Sequence, residues 1–191
     1  MIEAAKKEKK TQTVNGLNVE ALSGAIEEVG KDPSKGLTRW NVATDWKGGT
    51  QMQTQVVGYE IGGEYVKKDF TINCDEPYEL CGSNQFPNPQ ETLMAALNSC
   101  MMVGYVALCA LEGINLEELR IETKGDIDLR GFFGLDETVS PGYDQINYTV
   151  HIKGSGTPEQ LKEIHEKVRK TSPNYFNISK PVPLNSQLIV N

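Results

Sequence analysis

From Thr92 to Leu111 the chain runs for twenty residues without a charged side chain, and no other stretch constrains the fold as strongly. A run that long and apolar is either a membrane span or a helix covered on most sides by its own protein. Its entry is written in helix-start chemistry. Asn88 is placed to cap, Pro89 takes the first helical position, and Glu91 stands three residues after Asn88, as a capping box requires. Gly113 follows as the stop. The run carries Asn98, Ser99 and Gly104, and its flanks, Glu91 and Glu112, are acidic. These features favour the central helix of a domain over a membrane span.

The surrounding composition fits that expectation. The chain has 191 residues, 38% hydrophobic and 24% charged, which suits one compact core. A net charge of −7 argues against a nucleic-acid groove and against an anionic membrane surface. The basic cluster Lys6, Lys7, Lys9 and Lys10 is interrupted by Glu8 and reads as a solvated tail. Met1 is followed by charges rather than an apolar leader, so a cytoplasmic location is expected. Four cysteines are too few for a disulfide scaffold in a chain of this size.

Turn and cap signals divide the rest. Residues 1–36 read as a tail and a short amphipathic helix, capped by Asn18 and ended by Gly30, packed on a main domain of residues 37–191. Strands are expected at Leu37–Trp46, Thr50–Tyr59 and Tyr65–Ile72, with glycine turns short enough for an antiparallel meander. After the central helix come strands at Leu116–Gly125 and Tyr143–Ile152, separated by a long loop, Leu129–Gly142. Thr157 and Pro158 open a second long helix, and Pro181–Val190 reads as a closing strand. The order predicts an α+β fold rather than alternating βαβ units.

Residue chemistry leaves Cys100 open between two readings, a reactive thiol and a packing residue. Nucleophilic chemistry at sulfur needs a thiolate, and an ordinary thiol ionises at about 8.5. Cys100 lies too deep in its helix for the dipole to act strongly. Activation would need a cation from elsewhere in the fold, with Arg39 and Arg130 as candidates. Glu91 has a capping role that is compatible with facing a pocket. Cys109 reads as core. Cys74 and Cys81 do not have zinc-site spacing, and only His151 and His165 could assist, so neither metal nor cofactor is expected. Cys81 lies in the loop feeding the central helix and is a candidate second thiol for Cys100, with an unreactive loop cysteine as the alternative. Met94, Met101, Met102 and the pair Phe132-Phe133 are candidate pocket residues, with core packing as the alternative.

The segment Asn88-Pro89-Gln90-Glu91-Thr92-Leu93-Met94-Ala95-Ala96-Leu97-Asn98-Ser99-Cys100-Met101 resembles the N-P-x-E…A-A…C signature of the OsmC/Ohr family, the osmotically inducible and organic hydroperoxide resistance proteins. The likeness continues through Gly125-Asp126-Ile127-Asp128-Leu129-Arg130-Gly131, Pro141-Gly142-Tyr143 and Ser172-Pro173. It implies an OsmC-like α+β fold, with antiparallel sheets and long central helices in an intertwined homodimer. It also implies thiol-dependent reduction of organic hydroperoxides, with Cys100 as the attacking residue. The family's second cysteine falls at Ser172, and its glutamate falls at Gln90, next to Glu91. Its activating arginine falls in the turn Lys47-Gly48-Gly49-Thr50-Gln51, which holds no arginine. A sulfenic acid at Cys100 would then be resolved by an external small thiol. The alternative reading is a non-catalytic protein that binds an apolar small molecule in a cleft at the dimer interface.

Overall fold

The computed structural model describes residues 13–190, and the basic cluster at Lys6–Lys10 lies outside them. The described residues form two compact units: residues 13–92 with Ala110–Gly113, and Leu93–Cys109 with residues 114–190. Every strand pairing among them is antiparallel, in an α+β arrangement.

The first unit opens with a hairpin, β1 (Thr13–Val14) and β2 (Leu17–Asn18). Its two-residue turn uses Asn15 and Gly16, both at positive φ, which matches the twist of an antiparallel pair. The Asn18 side chain then accepts from Ala21 N and caps α1 (Val19–Lys31). No residue of α1 is buried. The sequence predicts one strand over Leu37–Trp46. The chain forms two instead, β3 (Thr38–Trp40) and β4 (Ala43–Gly48). Both pair with the same long strand, β5 (Gln51–Ile61), and the interruption lies opposite the register shift at Val56–Gly58. β5 also pairs with β6 (Glu64–Cys74), through a Gly62-Gly63 turn with both residues at positive φ.

Residues 75–88 lead into α2 (Pro89–Leu111), whose start is the expected capping box. Asn88 Oδ1 accepts from Glu91 N at 2.8 Å, and Glu91 Oε2 accepts from Asn88 N at 2.8 Å. By length and composition α2 could cross a bilayer. Its role in the second unit is different. Leu97, Met101, Tyr105 and Cys109 recur at intervals of four, and with Ile114, Ile121, Ile164 and Val168 they form a buried cluster. Met101 and Cys109 are therefore core residues.

β7 (Leu116–Gly125) pairs with β8 (Ile146–Gly154). Between them the expected loop contains one helical turn, α3 (Leu129–Phe132), capped by Asp128. β8 starts three residues later than its sequence suggests. Thr157 and Gln160 form a full capping box at the head of α4 (Pro158–Thr171), which supplies Ile164 and Val168 to the core. A further helix not foreseen, α5 (Pro173–Ser179), follows. The strand expected at Pro181–Val190 is not formed: these residues pair with no strand among the described residues, and Leu184 and Leu188 are 93% and 86% exposed. A strand needs a neighbour, and a β-like sequence alone does not provide one.

Candidate functional site

Cys100 is half-buried on α2, and Ser172 stands against it. The Ser172 hydroxyl donates to the Cys100 sulfur across 3.3 Å, and among the described residues it is the one hydrogen-bond partner of that sulfur. Ser172 is placed by local chemistry. Its N–H donates to Val168 O at 2.9 Å and closes α4. Its hydroxyl oxygen accepts from Tyr175 N at 3.3 Å and caps α5, with Pro173 at the first helical position. Asn174 Nδ2 donates to Ala96 O at 2.9 Å and pins the start of α5 to α2 one turn before Cys100. The side chain that meets the thiol is thus fixed from three directions and is only 5% exposed.

A depression of about 350 Å³ opens at this point, lined by Cys100, Val103, Gly104, Val168, Thr171 and Pro173 beside Ser172. Gly104 allows α2 and α4 to close up here, since a Cβ on it would lie 3.3 Å from Val168 Cγ2. The walls are mainly apolar, and the polar groups at the thiol are hydroxyls. A hydroxyl aimed at sulfur stabilises negative charge as it develops there, as a thiol nucleophile requires.

The other sequence candidates stand as follows. Glu91 is exposed and held in the capping box, nine positions before Cys100 on α2. Arg130 is exposed and committed to carboxylates: it meets Asp128 through Nε at 3.0 Å and through a closer contact at Nη2, and Asp136 lies 3.7 Å from Nη1. This pairing pulls the Asp128 carboxyl below the usual carboxylate range. Arg39, in the first unit, is exposed and pairs with Glu60 at 3.2 Å. Cys81, also in the first unit, is exposed and takes a left-handed conformation at φ 63°. Cys74 Sγ lies 3.4 Å from Thr92 Oγ1. Phe132 and Phe133 are exposed and pack edge-to-face at 5.1 Å. His151 meets Glu122 at 3.3 Å, and His165 Nδ1 is 2.5 Å from the Tyr105 hydroxyl. Burial holds the Tyr105 phenol well above its ordinary range, so it keeps its proton beside that ring nitrogen.

One buried charge was not foreseen. Asp75 is fully buried in the first unit and accepts five hydrogen bonds. Thr50 and Ser83 hydroxyls donate at 2.6 Å each, and the backbone N–H groups of Glu76, Ser83 and Gln85 complete the set. Gln51 Nε2 adds a bond to Ser83 Oγ at 2.9 Å. Thr50 and Gln51 belong to the turn to which the resemblance assigns an activating arginine. In this chain the turn supplies neutral donors, and they hold the segment that leads into α2. The hydroxyl bonds from Ser83 and Thr50 keep the Asp75 carboxyl far below the usual carboxylate range. Next to it, Glu76 is pushed up by burial and by the charges of Asp75 and Glu91.

Comparison with known proteins gives a consistent result. Residues 82–187 match the model of the family described as OsmC-like protein. An OsmC-like protein from Mycoplasma pneumoniae superposes with a TM-score of 0.58 at 15% identity, over 74% of this chain and 87% of the other. A Psychrobacter arcticus 273-4 protein described as an osmotic stress induced and detoxification response protein gives 0.55 at 12% identity, over 70% and 84%. An OsmC-like protein of unknown function from Vibrio cholerae gives 0.52 at 14% identity, over 73% and 92%. No curated protein matches the sequence.

Proposed function

The chain belongs to the OsmC-like protein family, and from that membership together with the Cys100–Ser172 contact we propose that it is a thiol-dependent redox protein that reduces organic hydroperoxides. The observation that carries the reading is a half-buried thiol at an open, mainly apolar depression with a hydroxyl donor held on its sulfur. The Cys100 thiolate attacks the outer oxygen of the hydroperoxide. The O–O bond breaks, an S–O bond forms, and the alkoxide takes a proton and leaves as an alcohol. Cys100 is left as a sulfenic acid. Ser172 cannot form a disulfide with it, so an external small thiol attacks the sulfenic sulfur and releases water. A second thiol then exchanges with the mixed disulfide and regenerates Cys100.

We read the working form as a homodimer. The support is apolar surface that a single chain leaves open: Val103 on α2 is 69% exposed between the buried Met101 and Tyr105, and Leu184, Leu188, Ile189 and Val190 are exposed and form no strand among the described residues.

The test is mass spectrometry of Cys100 after stoichiometric cumene hydroperoxide, with Cys100→Ser as control. Rapid, saturable sulfenic acid at Cys100 supports the reading. A thiol that stays reduced removes it and leaves binding of an apolar molecule as the function to examine.

A further inference from the structure

The hydroxyl that meets the Cys100 sulfur caps a short helix. α5 has seven residues, none of them buried, and a helix of that length does not hold its place unaided. On one side its second turn residue, Tyr175, is tied to α4 and β8. The Tyr175 hydroxyl accepts from Arg169 Nη2 at 3.3 Å, Glu166 holds Arg169 at 2.9 Å, and the Tyr175 ring meets Tyr148 edge-to-face at 6.2 Å. On the other side stands the bond from Asn174 Nδ2 to Ala96 O at 2.9 Å. Among the described residues no other hydrogen bond joins α5 to α2.

Ala96 O has a second role. In an α-helix it is the acceptor of the Cys100 N–H, four residues on. Asn174 therefore grips the turn of α2 that carries the thiol, while Ser172, two residues before it, presents its hydroxyl to the sulfur. No charged side chain belongs to the described lining of the depression at Cys100. Stabilisation of a thiolate there falls to the Ser172 hydroxyl, and a hydrogen bond weakens steeply as its geometry opens.

We propose that Asn174 is a positioning residue for the Cys100 thiol: its amide sets the separation of α5 from α2 and so holds the Ser172 hydroxyl on the sulfur. Ser172 Oγ and Tyr175 N belong to one turn and move together. Loss of the Asn174 bond thus keeps the cap of α5 and loosens the contact with the thiol. The inference rests on Cys100 as a reacting thiol. Alkylation tests it without hydroperoxide, so a failure of peroxide reduction and a failure of the positioning role are read separately.

The experiment is the rate of iodoacetamide alkylation at Cys100 in the full-length protein, read against pH by peptide mass spectrometry. Asn174→Ala is expected to slow alkylation near neutrality by about threefold or more, and to move the midpoint of the rate–pH curve upward, because a weaker hydrogen bond to sulfur favours the thiolate less. In the Ser172→Ala background the same substitution is expected to change the rate by less than about 1.5-fold, since the hydroxyl it positions is gone. Asn174→Ser, whose hydroxyl stands one bond short of the amide nitrogen's reach, is expected to behave as Asn174→Ala and decides the matter alone if the alanine variant fails to fold. An unchanged rate overturns the proposal. So does a rate lowered by one factor at every pH, which would report access rather than ionisation. Equal slowing in the Ser172→Ala background also overturns it, because Asn174 would then act by another route.

Discussion

The hydroxyl of Ser172 reaches the sulfur of Cys100, 72 residues away in sequence, at 3.3 Å, while the same oxygen caps α5 by accepting from Tyr175 N. One atom therefore serves both the thiol and the helix beside it. Ser172→Ala separates the two roles. It should slow alkylation of Cys100 by iodoacetamide about tenfold, the worth of one hydrogen bond to a charged sulfur. It should also lower stability by about 1 kcal/mol through the lost cap. Alkylation rates read beside thermal melts check both. A lowered melt with an unchanged alkylation rate would make Ser172 a cap and nothing more.

Replacing that oxygen with sulfur tests the geometry from the other side. In Ser172→Cys the new sulfur starts close to Cys100. Hydroperoxide treatment should produce an intramolecular disulfide, with loss of two thiol hydrogens in non-reducing peptide maps. Wild-type protein treated alike should show no cross-link between these helices. Two thiols that remain free in the variant would place the side chains too far apart or misaligned for a bond.

Asp75 predicts an acid limb. Its carboxyl is held low in the folded chain by Ser83 and Thr50, whereas in the unfolded chain it titrates near about 3.9. Below that value the unfolded state binds the proton that the folded state refuses. The stabilisation is therefore complete above about pH 5 and is lost progressively as pH falls below about 4. Thermal midpoints recorded downward from neutral pH should decline through this window, and Asp75→Ala should start lower and decline less. Parallel curves for the two proteins would rule out Asp75 as a source of the acid limb.

Ile164 is fully buried in the cluster around Met101 and Tyr105. Ile164→Ala should cost about 2–5 kcal/mol in urea unfolding, from lost burial and the cavity left behind. A cost under about 1 kcal/mol would mean that this core can collapse around the gap.

Val103→Glu addresses the dimer. Sedimentation equilibrium should give twice the chain mass for wild type and a shift toward the single-chain mass for the variant, because a carboxylate would be buried without a partner at the joint. Wild-type protein that sediments as a single chain at all concentrations would dismiss the dimer.

Local chemistry was legible in the sequence, and distant pairing was not. Asn88 with Glu91, and Thr157 at the head of α4, could be read directly because a capping box is complete within four residues. The Asn15-Gly16 hairpin and the Ser172-Pro173 start of α5 carry signals of the same local kind. The break between β3 and β4 depends on the register of β5, which no local pattern encodes. Pro181–Val190 has strand-like residues, but pairing depends on a neighbour. At the site, the family likeness marked Cys100 and Ser172 as a pair, while the spacing alone was silent. The role of Asn174, and the convergence of Thr50, Ser83 and Gln85 on Asp75, arise from tertiary closure and had no sequence signal.

The segment from Asp75 to Asn88 contains only one short helical turn, at Tyr78–Leu80, and its length suggests a surface connection open to change. Asp75 reverses that expectation. Its carboxylate gathers the segment from inside, and Gly82 lies so close to Glu76 that an added Cβ would strike the backbone carbonyl. Epitope tags, inserted domains and protease sites placed here would have to break the ring of donors before the chain could accommodate them. Engineers looking for a permissive graft point should avoid this loop despite its irregular backbone.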